Sequence, residues 1–76
     1  MTGGVYVNVR RLRRDIALRA WRPTDLARAA GLNAGTITAV MKGSAVSPRT
    51  LRKIASALRR HPIVPGLGDL LMDEAA

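Results

Sequence analysis

A glycine at position 31 limits what the middle of this chain can become. Residues 23–43 read PTDLARAAGLNAGTITAVMKG. Leu26, Ala27 and Ala30 before the glycine, and Ile37, Val40 and Met41 after it, fall at the three- and four-residue spacing of a buried helical stripe. Gly31 is the residue type that ends a helix in the left-handed conformation. Asn33, two residues on, carries the side-chain acceptor of an N-cap. The stretch therefore divides into two short helices, about Thr24 to Ala30 and about Ala34 to Lys42, joined by a tight turn.

Such a turn makes seven demands. Leu26 and Ala30 must face the core, Ala27 must be small where the second helix crosses, and Gly31 must accept a positive φ. Leu32 must plug the core, and Ile37 and Val40 must anchor the second helix. All seven positions hold the required residue type, which reads as a helix-turn-helix. An ordinary helical hairpin without a ligand fits the same pattern.

The flanks add further helices. Asn8 is an N-cap, with Val7 and Leu12 at the spacing of a hydrophobic staple. A first helix is expected from Val9 to about Trp21, with Val9, Leu12, Ile16 and Ala20 inward and Trp21 covering the core. Arg22 is a poor N-cap, while Pro23 suits a first helical turn. Ser47 and Pro48 open a helix to about Arg60, striped by Leu51, Ile54, Ala55 and Leu58. A last turn or two, about Asp69 to Glu74, would add Leu70 and Leu71 to the core. Val5–Tyr6–Val7 suits a short strand or an arm. The expected fold is all-α, a compact four- to five-helix bundle. Its parts are an N-terminal arm or strand (1–8), a helix-turn-helix domain (9–61) and a C-terminal extension with a short fifth helix (62–76).

Charge narrows the partners. Residues 1–61 hold all 13 Lys and Arg against Asp15 and Asp25, a local excess of 11, while 62–76 carry only Asp69, Asp73 and Glu74. So basic a body repels itself unless it meets a polyanion. Eleven of the 13 cations are Arg, whose planar fork suits phosphate. Nucleic acid is the leading partner. A membrane surface comes second, against the broken charge pattern. No apolar run approaches the roughly 18 residues of a membrane span, and the N-terminal arginines are followed by charges where a signal peptide needs an apolar stretch. The lack of cysteine excludes thiol catalysis and thiolate metal sites and suits a cytoplasmic setting. His61, the single histidine, stands at a helix end, where it is expected to cap carbonyls. With scattered carboxylates it matches no metal site and no catalytic triad. No enzyme activity, cofactor, metal or small-molecule substrate is expected.

PTDLARAAGLNAGTITAVMKG followed by SPRTLRKIASAL resembles the phage-repressor-type helix-turn-helix family (lambda-repressor/Cro-like, XRE type), over about residues 9–71. The resemblance implies a five-helix bundle that binds operator DNA as a transcriptional regulator of phage or bacterial origin, acting at the nucleoid, most simply as a Cro-like repressor. The chain differs from many members in having Arg22–Pro23 where they have Ser-Gln, and Met41–Lys42 where they have Glu-Asn. RRHPIVPG is longer than the usual approach to a fifth helix.

By this resemblance the second helix of the motif enters the major groove, and base-reading positions fall on Ala34, Gly35, Thr38 and Ala39. Ala34 and Ala39 offer methyl contact. Thr36 and Thr38 offer a hydroxyl and a methyl, or are solvent-facing filler. Gly35 offers only room. Direct polar readout is expected to be sparse, with phosphate contacts and DNA shape supplying much of the affinity. Phosphate-binding candidates are Thr24, Asn33 and Lys42, with Ser47, Arg49 and Arg52 around the next helix start and Arg28 beside them. Arg10, Arg13 and Arg14 are either further phosphate contacts or a solvated face. The family default is a homodimer on double-stranded DNA. The Ile63–Leu67 tail with Leu70–Met72, or the Val5–Val7 edge, could form its interface, or each could be plain core cover. The alternative reading is a protein-interaction module, such as an antitoxin or phage accessory protein, on the same fold.

Overall fold

The computed structural model describes residues 4–70. Its helices are α1 (Val9–Ala17), α2 (Pro23–Ala30), α3 (Ala34–Met41), α4 (Pro48–Arg60) and α5 (Leu67–Leu70). Three of the starts are fixed by local chemistry. Asn8 Oδ1 accepts the Arg11 N–H at 3.1 Å, Asn33 Oδ1 the Thr36 N–H at 2.8 Å, and Ser47 Oγ the Thr50 N–H at 3.1 Å. Each cap satisfies a donor that the first helical turn leaves bare. α2 starts one residue earlier than expected, at Pro23. Arg22 has no side-chain acceptor, so Asp25 reaches back and its Oδ2 accepts the Arg22 N–H at 2.7 Å.

The helix ends are alike. After α2, Gly31 takes φ 70°, and the Leu32 N–H returns to the Ala27 carbonyl at 2.9 Å. After α3, Gly43 takes φ 97°, and the Ser44 N–H returns to Ala39 O at 3.0 Å. Both are Schellman closures. α1 closes the same way with an alanine: Ala20 sits at φ 59°, and the Trp21 N–H bonds Ile16 O at 2.9 Å. This corrects the expected first helix, which stops at Ala17 rather than Trp21 and leaves Ala20 exposed. No glycine marks this stop. The turn it makes brings Trp21 against the core.

The core gathers Leu12 and Ile16 of α1, Leu26, Ala27 and Ala30 of α2, Ile37 and Val40 of α3, Ile54 and Ala57 of α4, and Val46 from the loop before α4. α2 packs against both α3 and α4, and α1 against α3. The stripe expected on α4 is only partly right. Ile54 is buried and Leu58 half-buried, but Leu51 and Ala55 face solvent and Ala57 lies inside. The true inner face is rotated toward Ile54–Ala57–Leu58, which is where α2 lies.

From Val5 onward the N-terminal segment lies against the molecule. Val5 and Val46 exchange backbone hydrogen bonds at 2.7 and 2.8 Å as an isolated antiparallel bridge, and Val5 and Val7 pack on the core while Tyr6 points out. At the other end, the Val64 N–H bonds Leu18 O at 2.8 Å. The last described helix is Leu67–Leu70 rather than one beginning at Asp69, and Leu70 is 80% exposed, not a core residue. The expected Leu71, Met72 and the turn through Glu74 lie outside the described residues.

Candidate nucleic-acid interface

Two of the three fully buried large side chains, Ile37 and Val40, belong to α3. They fix this short helix by its inner face and leave the rest outward. Ala34, Gly35 and Thr38 are exposed, while Thr36 and Ala39 are half-buried. Thr36 is engaged at the cap: its hydroxyl donates to Asn33 Oδ1 at 3.0 Å, beside the backbone bond. It keeps an acceptor lone pair and a methyl. Asn33 Oδ1 thus serves two internal donors, and only the amide NH₂ of Asn33 is left for another partner.

Gly35 has no internal reason to be a glycine. A Cβ there would meet only Asn33 Oδ1, at 3.4 Å, an ordinary contact. The bare surface around it is therefore space on the outside of the molecule, not a packing need.

The expected phosphate-binding residues fall on α2, just past α3 and at the start of α4. Thr24, in the first turn of α2, is exposed. Arg28 projects from α2 with its side chain 81% exposed, its Nη1 3.9 Å from Asp25 Oδ1. Lys42 lies just past α3 as its C-cap, not within it. Ser47, Arg49 and Arg52 are exposed at the start of α4. The Ser47 hydroxyl donates to Thr50 Oγ1 at 3.0 Å while accepting its N–H, so the caps of α3 and α4 are both internally engaged. Asp25 is the sole carboxylate between Pro23 and Arg60. It is shared by Arg22 and Arg28 at 3.7 and 3.9 Å, and the segment from α2 through α4 carries a strong excess of positive charge.

Two features have no counterpart among the expectations from the sequence. Arg19 is not a surface cation: its guanidinium, 10% exposed, donates to the carbonyls of Asp15, Leu58 and His61. His61 does not take the expected role of capping carbonyls. Instead its ring stands edge-on to Trp21, with centroids 5.2 Å apart, and Arg19 serves the carbonyls. The second feature is an open groove of about 360 Å³ lined by Ala30, Arg49, Arg52, Lys53, Ser56 and Arg60. The signal for it was present as cations spaced three, four and seven residues apart on the polar face of α4.

Among the described residues no cluster of His, Cys, Asp or Glu could hold a metal ion, and no helix is long and apolar enough to cross a membrane. Neither curated proteins nor solved structures provide a match to the chain. A family model does, over residues 11–62, from within α1 to just past α4. The glycine turn between two short helices, the strongly basic sequence and this match agree, and the chain belongs to the Cro/C1-type HTH DNA-binding domain family.

Proposed function

We infer that the protein is a sequence-specific regulator of transcription that sets α3 in the major groove of double-stranded DNA and acts as a repressor by covering an operator. The observation that carries this reading is the outer face of α3. Ala34, Gly35 and Thr38 form an uncovered surface of small residues on a helix held from behind by Ile37 and Val40, and the small side chains permit close approach to base edges. Thr38 supplies a hydroxyl and a methyl. Thr36 supplies an acceptor and a methyl, and Ala34 and Ala39 supply methyl contact. Thr24, Arg28, Lys42, Arg49 and Arg52 supply phosphate contacts, Asn33 contributes through the amide NH₂ its cap leaves free, and Ser47 contributes once its hydroxyl turns from Thr50 Oγ1 toward phosphate. Two copies acting on a two-fold site would double the contacts and set the half-site spacing at about one helical turn.

Selection of bound sequences from a random duplex pool tests the reading, followed by gel shifts of the winning duplex against a shuffled competitor. One enriched sequence, bound in preference to its shuffle and lost on Thr38→Glu, is the expected result. Equal affinity for every duplex would reduce the protein to a nonspecific polycation and end the regulator reading. If each subunit neutralises about five phosphates, log affinity should fall against log salt with a slope of about −4.5.

A further inference from the structure

We propose that the outer face of α4 is a second, sequence-independent seat for the DNA backbone, which holds the duplex flanking the segment read by α3. The proposal rests on the α3 reading for the presence of DNA, but it concerns different residues. Lys53, Ser56 and Arg60 extend the line begun by Arg49 and Arg52, and a helix brings positions three and four apart onto one face. Ala30, at the end of α2, borders the same groove.

The groove is built for an anion along its length. No carboxylate lines it. The described ion pairs involve Arg19, Arg22 and Arg28, and none involves a groove cation. Arg60 is held in place beforehand: its Nη1 donates to Ser56 Oγ at 3.0 Å and its Nη2 to Ala29 O at 3.1 Å. A fixed guanidinium loses less side-chain freedom on meeting a phosphate than a free one.

Shape and chemistry select the occupant. From Arg49 to Arg60 the helix rises about 16 Å, while one strand of a duplex advances about 3.4 Å per phosphate. The cations thus track a stretch of backbone rather than a single anion. A peptide would find Ala30 as its one apolar contact, too little for an anchored side chain. A second copy meeting this face about a two-fold axis would set cation against cation. The flanking part of the same duplex is favoured because Arg49 and Arg52 belong both to the groove and to the clamp at the start of α4. The track is therefore continuous with the proposed interface.

Lys53→Gln removes one groove charge without touching α3 or any described hydrogen bond. Arg60→Gln removes the fixed one, and a thermal melt reports whether that variant keeps its fold. Affinity is measured against salt for wild type, both variants and Thr38→Glu. The duplexes are the selected sequence with long flanks, the same sequence trimmed to about one half-site of 10 bp, and a shuffled long duplex. On both long duplexes Lys53→Gln is expected to make the log–log slope shallower by about 0.9, with unchanged discrimination between selected and shuffled sequence. On the trimmed duplex the slope should match wild type. An unchanged slope on long duplexes overturns the groove, even while Thr38→Glu abolishes discrimination and so upholds the α3 reading. An equal slope change on the trimmed duplex, or two labelled duplexes held together by one protein, overturns the flanking assignment. Loss of slope without any discrimination by wild type upholds the groove and sinks the α3 reading instead.

Discussion

The guanidinium of Arg19 donates to the carbonyl oxygen of Leu58 at 2.8 Å, tying the chain after α1 to the last turn of α4. A second nitrogen donates to Asp15 O at 2.7 Å, and Nε serves His61 O. Helix ends leave carbonyls without partners, and Arg19 satisfies them for two helices at once while remaining 10% exposed. Its Asp15 carboxylate partner, at 3.8 Å and more exposed, is the lesser part of the arrangement.

Arg19→Ala should therefore cost stability rather than DNA contact. Hydrogen bonds from a charged donor contribute about 1.5–3 kcal/mol. Removing the clasp should lower the melting temperature by roughly 10 °C or more in a domain of this size. Arg19→Lys should recover only part of the loss, because an ammonium lacks the fork that spans the separate carbonyls. A melt of Arg19→Ala within about 2 °C of wild type would mean that the clasp is decorative.

Ala20 presents the opposite case. It occupies the left-handed position of a Schellman closure at φ 59°, exposed and with a side chain that gains nothing there. Left-handed backbone costs an L-residue about 1–2 kcal/mol, and glycine gives back some of that through its freer unfolded chain. Ala20→Gly is expected to stabilise by about 0.5–1 kcal/mol, read as a rise of a few degrees in thermal unfolding. A fall in melting temperature would refute the strain.

The contrast between Ala20 and Gly31 explains what was legible from the residues alone. Both close a helix by the same hydrogen bonds. Gly31 announced its turn because glycine is the usual occupant, and α2, α3 and the cap of α4 followed from it and from Asn33, Ser47 and Pro48. Ala20 gave no such notice, so α1 read too long. Leu51 and Ala55 misled for a related reason: several helical faces of α4 carry apolar residues, and only the position of α2 decides which one is buried. The small outer face of α3 was plain in the sequence. Arg19 and Arg60 were not, since nothing local tells an arginine that spans two elements from one that faces water.

The positive φ at Gly31 can be separated from its packing. A Cβ at this position meets nothing within 4 Å, so any cost of substitution is the cost of the backbone. Gly31→Asn, a residue that tolerates the left-handed region, should lose less stability than Gly31→Ala. Gly31→Val should lose the most, about 2 kcal/mol or more, because β-branching adds to the strain. Chemical denaturation of the three variants gives the order. Equal losses would place the cost in contacts the structure does not have.

Gly35 is where folding and binding should part company. It lies in the first turn of α3, exposed, with φ in the ordinary range, and a Cβ there would make only an ordinary contact with Asn33 Oδ1 at 3.4 Å. Alanine is favoured over glycine within a helix by about 0.5–1 kcal/mol, so Gly35→Ala should raise the melting temperature slightly. The added methyl points outward, into the space a base edge would enter if α3 lies in the major groove. Affinity for the selected duplex should then fall about tenfold or more, in keeping with the 1–3 kcal/mol carried by a good base contact, while affinity for a shuffled duplex stays close to wild type. Calorimetric melting and competition gel shifts on one protein preparation read both quantities. A variant more stable and equally discriminating would show that DNA never approaches the helix at this point, and the sparse surface of α3 would need another explanation.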